Sequence, residues 1–429
     1  MRGLTTREIK IPYGNRRLSC FLEAERAVNI LRPAAAPAGA ARPEIEIIAE
    51  ALAAPIASPP LAELARGKKN VVVLTSDHTR PVPSRLTLPP MLAEIRRASP
   101  EARITVLIGV GSHRASTREE MAEKFGADFV AREHVINHDP HDAANLVSLG
   151  RLPSGGELVL NRLAVEADLL AADGFIEPHQ FAGFSGGRKS VLPGIAGLGT
   201  VLASHNAEFT VHPQARPGSL EGNPFQTDMV EAARRAKLAF ILNVTLSHDK
   251  RVSAAFAGDM EEAHLAGCRR VLAGCGVRAA PAPIVITSNG GYPLDRNIYQ
   301  ATKSIMAADL TTAPGGVIIA VNECRDGHGA EGFYRTFREA ASPGELLAAI
   351  GKRGREETLP DQWVTQLTAS ILARRTVFMV SEAPREQVEA FGLKPAPGLQ
   401  EALALAEKAV GDSRAAVTVL PDAVALVIE

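Results

Sequence analysis

The chain has 429 residues, more than one hydrophobic core usually serves, so we expect two domains. Its 47 basic and 48 acidic side chains nearly cancel, which excludes a broad field for nucleic acid or a charged membrane surface. No stretch reaches the 18 apolar residues of a membrane span, and the first residues lack the apolar core of a secretion signal. The four cysteines form no CxxC pair, and they favour a reducing compartment. We therefore expect a cytoplasmic protein.

The first part of the chain alternates short apolar runs with helical patterns. Strands are predicted at 70–77, 103–111, 168–177 and 238–247, and helices at 90–98 and 260–272. Before them, the Ala/Pro-rich segment 32–43 is interpreted as a loop or a short linker. This alternation is typical of parallel sheets with crossover helices.

The same alternation resumes after a Gly/Pro-containing stretch at 274–283. Strands are predicted at 283–289, 316–323, 376–381 and 416–420, with a helix at 362–374. The sequence thus predicts an α/β protein of two domains, 1–274 and 281–429, each with a largely parallel, Rossmann-like sheet flanked by helices. Polar motifs follow predicted strands in both domains, so we expect the active site in the interdomain cleft.

The motif with the richest chemistry is EPHQFAGFSGGRKSVLPG, residues 177–194. Its glycines Gly186 and Gly187 can turn tightly and present N–H groups to an anion, beside the charges of Arg188 and Lys189. A P-loop requires glycine directly before the lysine, and Arg188 stands there instead. Generic phosphate binding and a purely structural turn both stay open.

Two further motifs follow the first two strands of this series. In SDHTRPVP, Arg80 precedes a proline and could grip a carboxylate, although a surface ion pair is the alternative. Asp77 could orient His113, Arg80 or a cofactor hydroxyl. In GVGSHR, Arg114 replaces the third glycine of a dinucleotide fingerprint, so a classical NAD site is weakly supported.

Other clusters allow a functional and a structural interpretation. His134, His138 and His141 are close in sequence, which suits either a metal site or a solvated loop. Tyr299, Gln300 and Lys303 share one side of a predicted helix, which is either a cleft face or the wet face of an amphipathic helix. The cysteines Cys268 and Cys275 fit an apolar core role.

Taken together, SDHTRPVP, GSHR, EPHQFAGFSGGRKSVLPG, SHN, SNGGYPLDRNIYQATKS and DQW resemble the nickel-pincer-nucleotide-dependent lactate racemase family. They occur in the family's order from Asp77 to Trp363. The resemblance implies a 2-hydroxyacid racemase or epimerase. It also implies cofactor maturation enzymes as partners and a nickel-pincer nucleotide, a pyridinium-derived mononucleotide with two sulfur donors, attached covalently to Lys189.

The resemblance also implies roles for individual residues. Lys189 would carry the cofactor, with Asp77, Gly186, Gly187 and Arg188 around it, and His205 would bind the nickel. His113 and His179 would be the two catalytic histidines, one for each face of the substrate. The implied substrate contacts are Arg80, Tyr299, Gln300, Lys303 and Trp363, with Arg80 and Lys303 also catalytic.

The implied reaction is reversible hydride transfer from C2 of a 2-hydroxy acid through a 2-oxo acid. Gln180 and Arg296 flank the motifs and add polar character, so we hypothesise an acid larger or more polar than lactate. The alternatives are a phosphate- or nucleotide-binding enzyme without nickel and a noncatalytic relative. The oligomeric state stays open at this point.

Overall fold

The computed structural model describes residues 6–33, 42–247 and 249–429. The strands are β1 (Thr6–Tyr13), β2 (Arg16–Glu23), β3 (Val28–Ile30), β4 (Asn70–Ser76), β5 (Arg103–Gly109), β6 (His134–Asn137), β7 (Leu146–Arg151), β8 (Glu157–Asn161), β9 (Leu169–Phe175), β10 (Pro178–His179), β11 (Gly183–Phe184), β12 (Leu238–Leu246), β13 (Val252–Gly258), β14 (Gly276–Val277), β15 (Ala282–Thr287), β16 (Thr312–Val321), β17 (Thr376–Val380), β18 (Lys394–Ala396), β19 (Val417–Leu420) and β20 (Val427–Ile428).

The α-helices are α1 (Glu44–Ala53), α2 (Leu61–Ala65), α3 (Ser84–Ala98), α4 (Arg118–Phe125), α5 (Ala127–Arg132), α6 (Arg162–Val165), α7 (Leu198–Ser204), α8 (Ala207–Thr210), α9 (Pro224–Arg235), α10 (Glu262–Cys275), α11 (Ile298–Asp309), α12 (Glu331–Glu339), α13 (Pro343–Gly351), α14 (Gln362–Leu372), α15 (Arg385–Ala390) and α16 (Leu399–Val410). Short 3₁₀ turns lie at Ala143–Asn145, Gly187–Ser190, Arg355–Glu357 and Ala423–Ala425.

The chain forms two compact units. The first unit comprises residues 42–273 and 355–358, and the second comprises 6–33, 274–354 and 359–429. Both are α/β, which confirms the predicted fold class. In the described part of the chain, no helix combines the length and the apolar character that a membrane span requires.

The sheet of the first unit has the strand order β13-β12-β9-β4-β5-β6, with β13 antiparallel and the others parallel. Alternate residues of these strands pack in one core with α1 and α3; Val73, Val106 and Phe240 are examples. Strand β9 is buried along its whole length, as a central parallel strand covered on both faces should be.

The strand order of the first unit reverses at β4. The chain proceeds from β4 to β5 and β6 on one side, then returns to place β9 on the other side. Such a reversal leaves a crevice at the carboxyl ends of the two strands, where ligands of open α/β sheets bind. The loops after β4 and β9 meet this description, and they begin with Asp77 and Ile176 respectively.

The second unit has a sheet with the order β18-β17-β16-β15-β19-β3, and its pairings are parallel. It includes the amino-terminal strands, so the assignment of the whole segment 1–274 to one domain was wrong for residues 6–33. The reason is that β3 pairs with β19, while Ile9, Ile11 and Leu22 of the β1–β2 hairpin are buried against the sheet core.

Two local expectations also need adjustment. Helix α3 begins six residues before the predicted 90–98, and it contains Pro89 and Pro90 in its interior. Its apolar stripe of Leu88, Met91 and Leu92 is fully buried, and this packing offsets the poor helix propensity of proline. Of the predicted linker 32–43, residues 34–41 lie outside the described residues.

Candidate active site

Eight of the nine candidate residues of the first unit come from three neighbouring loops, and the ninth, His205, follows α7. Asp77 and Arg80 follow β4, His113 follows β5, and the segment 177–194 follows β9. These strands are adjacent and parallel, so their carboxyl ends open on the same edge of the sheet. The fold therefore brings together motifs that are a hundred residues apart in sequence.

The structure resolves which partner Asp77 takes. Its carboxylate is 2% exposed, and Oδ2 lies 2.7 Å from Nδ1 of His113. The other oxygen, Oδ1, accepts hydrogen bonds from the amide and the hydroxyl of Thr79 at 2.9 and 2.6 Å. Burial alone would raise the pKa of Asp77, but the hydrogen bonds from His113 and Thr79 outweigh it and hold this pKa at about 2.

The contact with Asp77 determines which ring nitrogen of His113 carries the proton. An ionised carboxylate only accepts hydrogen bonds, so Nδ1 of His113 must donate. In the neutral ring the lone pair is then on Nε2, on the opposite side of an exposed imidazole. His113 is therefore oriented as a base.

Arg80 is exposed at the tip of the same loop. Its guanidinium makes no hydrogen bond or ion pair with residues that the structure describes, whereas its backbone amide donates to the Asp77 carbonyl at 3.3 Å. The surface ion pair considered as an alternative is thus not seen. An arginine held in this way keeps its planar fork for an external carboxylate.

Gly186 and Gly187 of the 177–194 segment pack against the buried strand β12. Gly186 has φ of 77°, and a Cβ there would lie 2.5 Å from Oδ1 of Asn243 in β12. The amide of Gly187 donates to the same Oδ1 at 2.7 Å. The expected anion site at this amide is corrected by the structure, because its donor is already used by a buried side chain.

Arg188 also points inward and is 1% exposed. Its guanidinium donates to the carbonyls of Ala182, Phe184 and Gly186 at 2.9, 3.0 and 3.2 Å, and to Gln226 Oε1 at 2.5 Å. Burial lowers its pKa to about 10, which leaves it a cation at neutral pH. Arg188 therefore locks the loop from within, and the expectation that it contacts a cofactor is corrected.

Lys189 is half-buried in the 3₁₀ turn that these contacts hold. Burial, followed by the positive charges of Arg188 and Arg80, moves the pKa of its amine well below the usual range. A lysine in this situation carries a neutral, nucleophilic amine in a larger fraction of molecules. The environment of Lys189 therefore suits covalent attachment of a group.

His179 is half-buried in β10, and its Nδ1 accepts the amide proton of Ala182 at 3.3 Å. Burial, then the charges of Lys189 and Arg80, holds the pKa of this imidazole well below 6.5. The ring is therefore neutral at pH 7, with its proton on Nε2. His113 and His179 thus present different chemistry at Nε2: a lone pair on the first and an N–H on the second.

His205 lies at the end of α7 and is 5% exposed. Its Nδ1 lies 2.8 Å from the carbonyl of Val201, which can only accept, so this nitrogen carries the proton. Burial, then the charge of Lys189, lowers the pKa of His205 to about 4. A histidine tied to a carbonyl at one nitrogen has the orientation that metal-ligating histidines adopt for the other.

Phe181 was missed as a candidate residue, although it lies within the long motif. Its ring centroid is 4.5 Å from that of His179 and 5.2 Å from that of His205, both edge-on. The amine of Lys189 lies 6.0 Å from the same centroid. The Phe181 ring therefore lies next to His179, His205 and Lys189. Its position in the sequence, between a candidate histidine and a candidate lysine, could have identified it as a site residue.

Two buried polar residues behind the loop were missed as well. Asn243 supports Gly187 from β12, and Nε2 of His264 lies 2.8 Å from the carbonyl of Ser185. Asn243 interrupts the apolar run FILNVTL, which is a signal that sequence reasoning could have used. His264 lies within an ordinary helical pattern and offered none.

The predicted substrate contacts of the second unit lie on two packed helices. Tyr299, Gln300 and Lys303 are half-buried on α11, and Trp363 is half-buried on α14. The hydroxyl of Tyr299 donates to Asp361 Oδ1 at 2.9 Å, and both aromatic rings pack against the core of this unit. These four residues thus all lie in the second unit, while the other nine candidates lie in the first.

The histidine cluster 134–141 has structural roles. His138 is 1% exposed, and its ring nitrogens lie 3.0 Å from the Ala196 carbonyl and 3.1 Å from Nδ2 of Asn161. His134 and His141 are exposed. Within the described ranges, no group of three or more His, Cys, Asp or Glu side chains could hold a metal ion.

Comparison with known proteins agrees with this geometry. The family model described as the lactate racemase N-terminal domain matches residues 13–218, and the lactate racemase C-terminal domain matches 277–428. The lactate racemase of Thermoanaerobacterium thermosaccharolyticum is 50% identical over 422 residues, covering 98% of this chain and 99% of that protein. The lactate racemase of Lactiplantibacillus plantarum is 45% identical with the same coverage.

Solved structures agree with the fold. The lactate racemase apoprotein from T. thermosaccharolyticum superimposes with a TM-score of 0.93 at 49% identity, covering 99% of this chain and all of that one. A Thermotoga maritima protein shares the fold at 19% identity with a TM-score of 0.63, covering 91% and 99%. Fold and sequence together define an isomerase that acts as a racemase. The chain belongs to the lactate racemase family.

Proposed function

We propose that this racemase interconverts the two enantiomers of lactate. The observation that carries the proposal is the identity of 50% and 45%, over 98% of the chain, to two proteins that bear the name lactate racemase. The site geometry supports it, since an oriented base, a half-buried neutral imidazole and an exposed guanidinium lie on neighbouring loops.

Our proposal includes a nickel-pincer nucleotide as the cofactor, attached to Lys189 and with its nickel bound by His205. Two features of the chain fit such a group. The amine of Lys189 has a strongly lowered pKa, as a nucleophile for covalent attachment requires. His205 is a buried imidazole fixed by the Val201 carbonyl, which suits a metal whose remaining donors arrive with the bound group.

When bound, this group supplies a reversible acceptor for the C2 hydrogen and its electron pair, which the protein's side chains cannot supply. His113 takes the hydroxyl proton at Nε2 while Asp77 stabilises the resulting imidazolium, and this imidazolium returns the proton to the substrate oxygen when the hydrogen goes back to C2. His179 donates a hydrogen bond from Nε2 to the substrate oxygen on the opposite face of C2. Arg80 binds the carboxylate.

The remaining predicted contacts, Tyr299, Gln300, Lys303 and Trp363, stay part of the proposal on the strength of the family resemblance. The hypothesis of a larger or more polar acid finds less support. One of its two residues, Arg296, forms an ion pair with Asp326 at 2.6 Å on the surface and supplies no additional charge for a substrate. Lactate is therefore the proposed substrate.

The proposal also covers location and partners. The four cysteines are buried and unpaired, which suits the reducing cytoplasm. A cofactor of this kind requires dedicated maturation enzymes, which we propose as transient partners.

The test is a racemisation assay on protein that has been coproduced with maturation enzymes. Incubation with pure L-lactate or pure D-lactate should approach the same racemic mixture, and intact mass should show an adduct that Lys189→Ala lacks. Larger hydroxy acids, assayed in parallel, should react more slowly. Matured protein that carries the adduct and leaves both enantiomers unchanged would refute the proposed substrate.

Isotope exchange tests the fate of the C2 hydrogen. In deuterated water, lactate racemised by the matured enzyme should retain its original hydrogen at C2, since the pair of electrons and the hydrogen return together. Deuterium at C2 in most of the product would instead indicate a carbanion mechanism with solvent exchange and would contradict this part of the proposal.

A further inference from the structure

The loop that carries Arg80 has few backbone hydrogen bonds of its own. Pro81 and Pro83 have no N–H group to donate. Two backbone hydrogen bonds lie within the segment from Asp77 to Ser84: from the Arg80 amide to Asp77 at 3.3 Å, and from the Ser84 amide to Val82 at 2.9 Å. The direction of the Arg80 side chain therefore depends on contacts from outside the loop.

Lys124 supplies such a contact from the last turn of α4. Its Nζ donates to the carbonyl oxygen of Arg80 at 2.7 Å and lies 3.5 Å from the carbonyl oxygen of Val82. The ammonium group thus bridges the two carbonyls on either side of Pro81. A charge-assisted hydrogen bond of this length is about twice as strong as one between neutral groups.

The helix that carries Lys124 is anchored at its other end. Thr117 and Glu120 form a reciprocal capping box at the start of α4. Glu120 also binds the guanidinium of Arg114 at 2.5 Å, and it lies 3.6 Å from Nδ1 of His78. Helix α4 therefore contacts the loop after β4 and the loop after β5, which hold Arg80 and His113.

Burial and the surrounding charges act in opposite directions on the amine of Lys124, and the net effect lowers its pKa. Burial lowers the pKa of its amine, but the carboxylates of Asp173 and Asp77 oppose this shift. Asp173 is fully buried in β9, where Thr87 donates to its Oδ2 at 2.7 Å. Lys124 thus lies between two buried acidic side chains and the carbonyl oxygens of Arg80 and Val82.

We infer that Lys124 is a positioning residue for substrate binding, which directs the Arg80 guanidinium by holding the carbonyls of Arg80 and Val82. This inference rests on the proposed function, in which Arg80 binds the substrate carboxylate. In this inference Lys124 acts through the loop, since its Nζ contacts the carbonyl oxygens of Arg80 and Val82.

Kinetics of Lys124→Met, which keeps the length of the side chain without the donors, test this inference. The contact between the Arg80 guanidinium and the substrate carboxylate is the same in the bound substrate and in the transition state. Its loss should therefore raise KM with kcat preserved. We expect a KM for lactate about tenfold higher or more, with kcat within about threefold of the wild type, since small misplacements of a positioning group have effects of this size. Lys124→Arg should restore most of the KM. Lys69→Met, at the amino end of β4, is the matched control and should resemble the wild type.

Hydrogen exchange gives a readout that needs no cofactor. In protein made without maturation enzymes, Lys124→Met should exchange the amides of Arg80 and Ser84, the two hydrogen-bonded amides of this segment, about tenfold faster, while amides of β9 stay unchanged. Lys124→Gln keeps N–H donors on a shorter, uncharged side chain and replaces the methionine variant if that variant folds poorly. Unchanged exchange, or an unchanged KM in matured enzyme, overturns the inference. Wild-type matured protein that leaves lactate unchanged refutes the proposed function instead, whatever the exchange result.

Discussion

His113 donates a hydrogen bond from Nδ1 to Oδ2 of Asp77 across 2.7 Å, and the two residues come from loops that follow adjacent strands. The carboxylate of Asp77 is buried and the imidazole of His113 is exposed, so His113 is the member of the pair that a ligand can reach. A buried carboxylate fixes the tautomer of a histidine and stabilises its protonated form. This arrangement defines the residue that takes the hydroxyl proton in the proposed reaction.

Replacement of Asp77 by asparagine should lower kcat by about 100-fold or more, in the range that general base catalysis contributes. The amide can no longer stabilise an imidazolium at His113, and it can orient the ring with the wrong tautomer. Rates of lactate racemisation by matured enzyme measure the effect. The control is Thr79→Val, which removes the hydroxyl hydrogen bond to the other carboxylate oxygen and leaves both the Thr79 amide bond and the Asp77 contact with His113. A kcat of Asp77→Asn within threefold of the wild type would contradict this role.

The parallel sheets and the strand-end position of the motifs were predictable from sequence. The central strands are continuous apolar runs, such as VVVL after Asn70, and such runs belong to sheets covered on both faces. Polar residues directly after them then had to lie at one edge of the sheet. This local rule correctly assigns Asp77, His113 and His179 to the segments that follow β4, β5 and β9.

The partners of these residues were not predictable, because they come from distant segments. Asn243 and His264 lie 56 and 79 residues from the backbone groups they bind, and nothing near Gly187 or Ser185 indicates them. Arg188 was expected to lend its charge to an anion or a cofactor, because arginine is rarely buried; here three backbone carbonyls and Gln226 replace the water it loses.

The amino-terminal hairpin was hidden for a different reason. Strand β1 carries charged residues on its exposed side, and only Ile9, Ile11 and Tyr13 are buried. Such a short alternation is weak evidence beside the long apolar runs of the central strands. Its position in the second unit depends on packing against α16 and the sheet core, which no local pattern reveals.

The lowered pKa of Lys189 predicts an unusual pH dependence of its reactivity. Only the neutral amine attacks an anhydride, so labelling rates rise with pH until the lysine is fully deprotonated. For Lys189 the rate should level off at a lower pH than for the lysine of a short unstructured peptide, because burial and the charges of Arg188 and Arg80 disfavour its cation. Acetic anhydride labelling between pH 6 and 11, followed by peptide mass spectrometry, compares the two. Parallel profiles for both lysines would exclude the shift.

The proposed role of His205 predicts that metal and adduct can be separated. In His205→Ala the adduct at Lys189 should persist, since the two residues are on different segments, while nickel content falls tenfold or more. Intact mass and elemental analysis of matured protein measure the two quantities. His138→Gln serves as the matched control, since His138 is also buried and bound to a carbonyl. Full nickel occupancy in His205→Ala would assign the metal to another ligand.

A methyl group at Gly186 tests whether the loop of Lys189 depends on close approach of its backbone to β12. Gly186→Ala places a Cβ 2.5 Å from Asn243 Oδ1 and 2.9 Å from the carbonyl of Phe175, so we expect a loss of about 3 kcal/mol or more. Gly67→Ala is the matched control: its φ of 74° is close to the 77° of Gly186, but nothing lies within 4 Å of the added carbon. It isolates the cost of the left-handed backbone, about 1 to 2 kcal/mol.

Thermal unfolding of both variants measures stability, and the adduct mass after maturation reports on the loop. Equal destabilisation of the two variants would show that crowding against Asn243 has no part in holding Lys189.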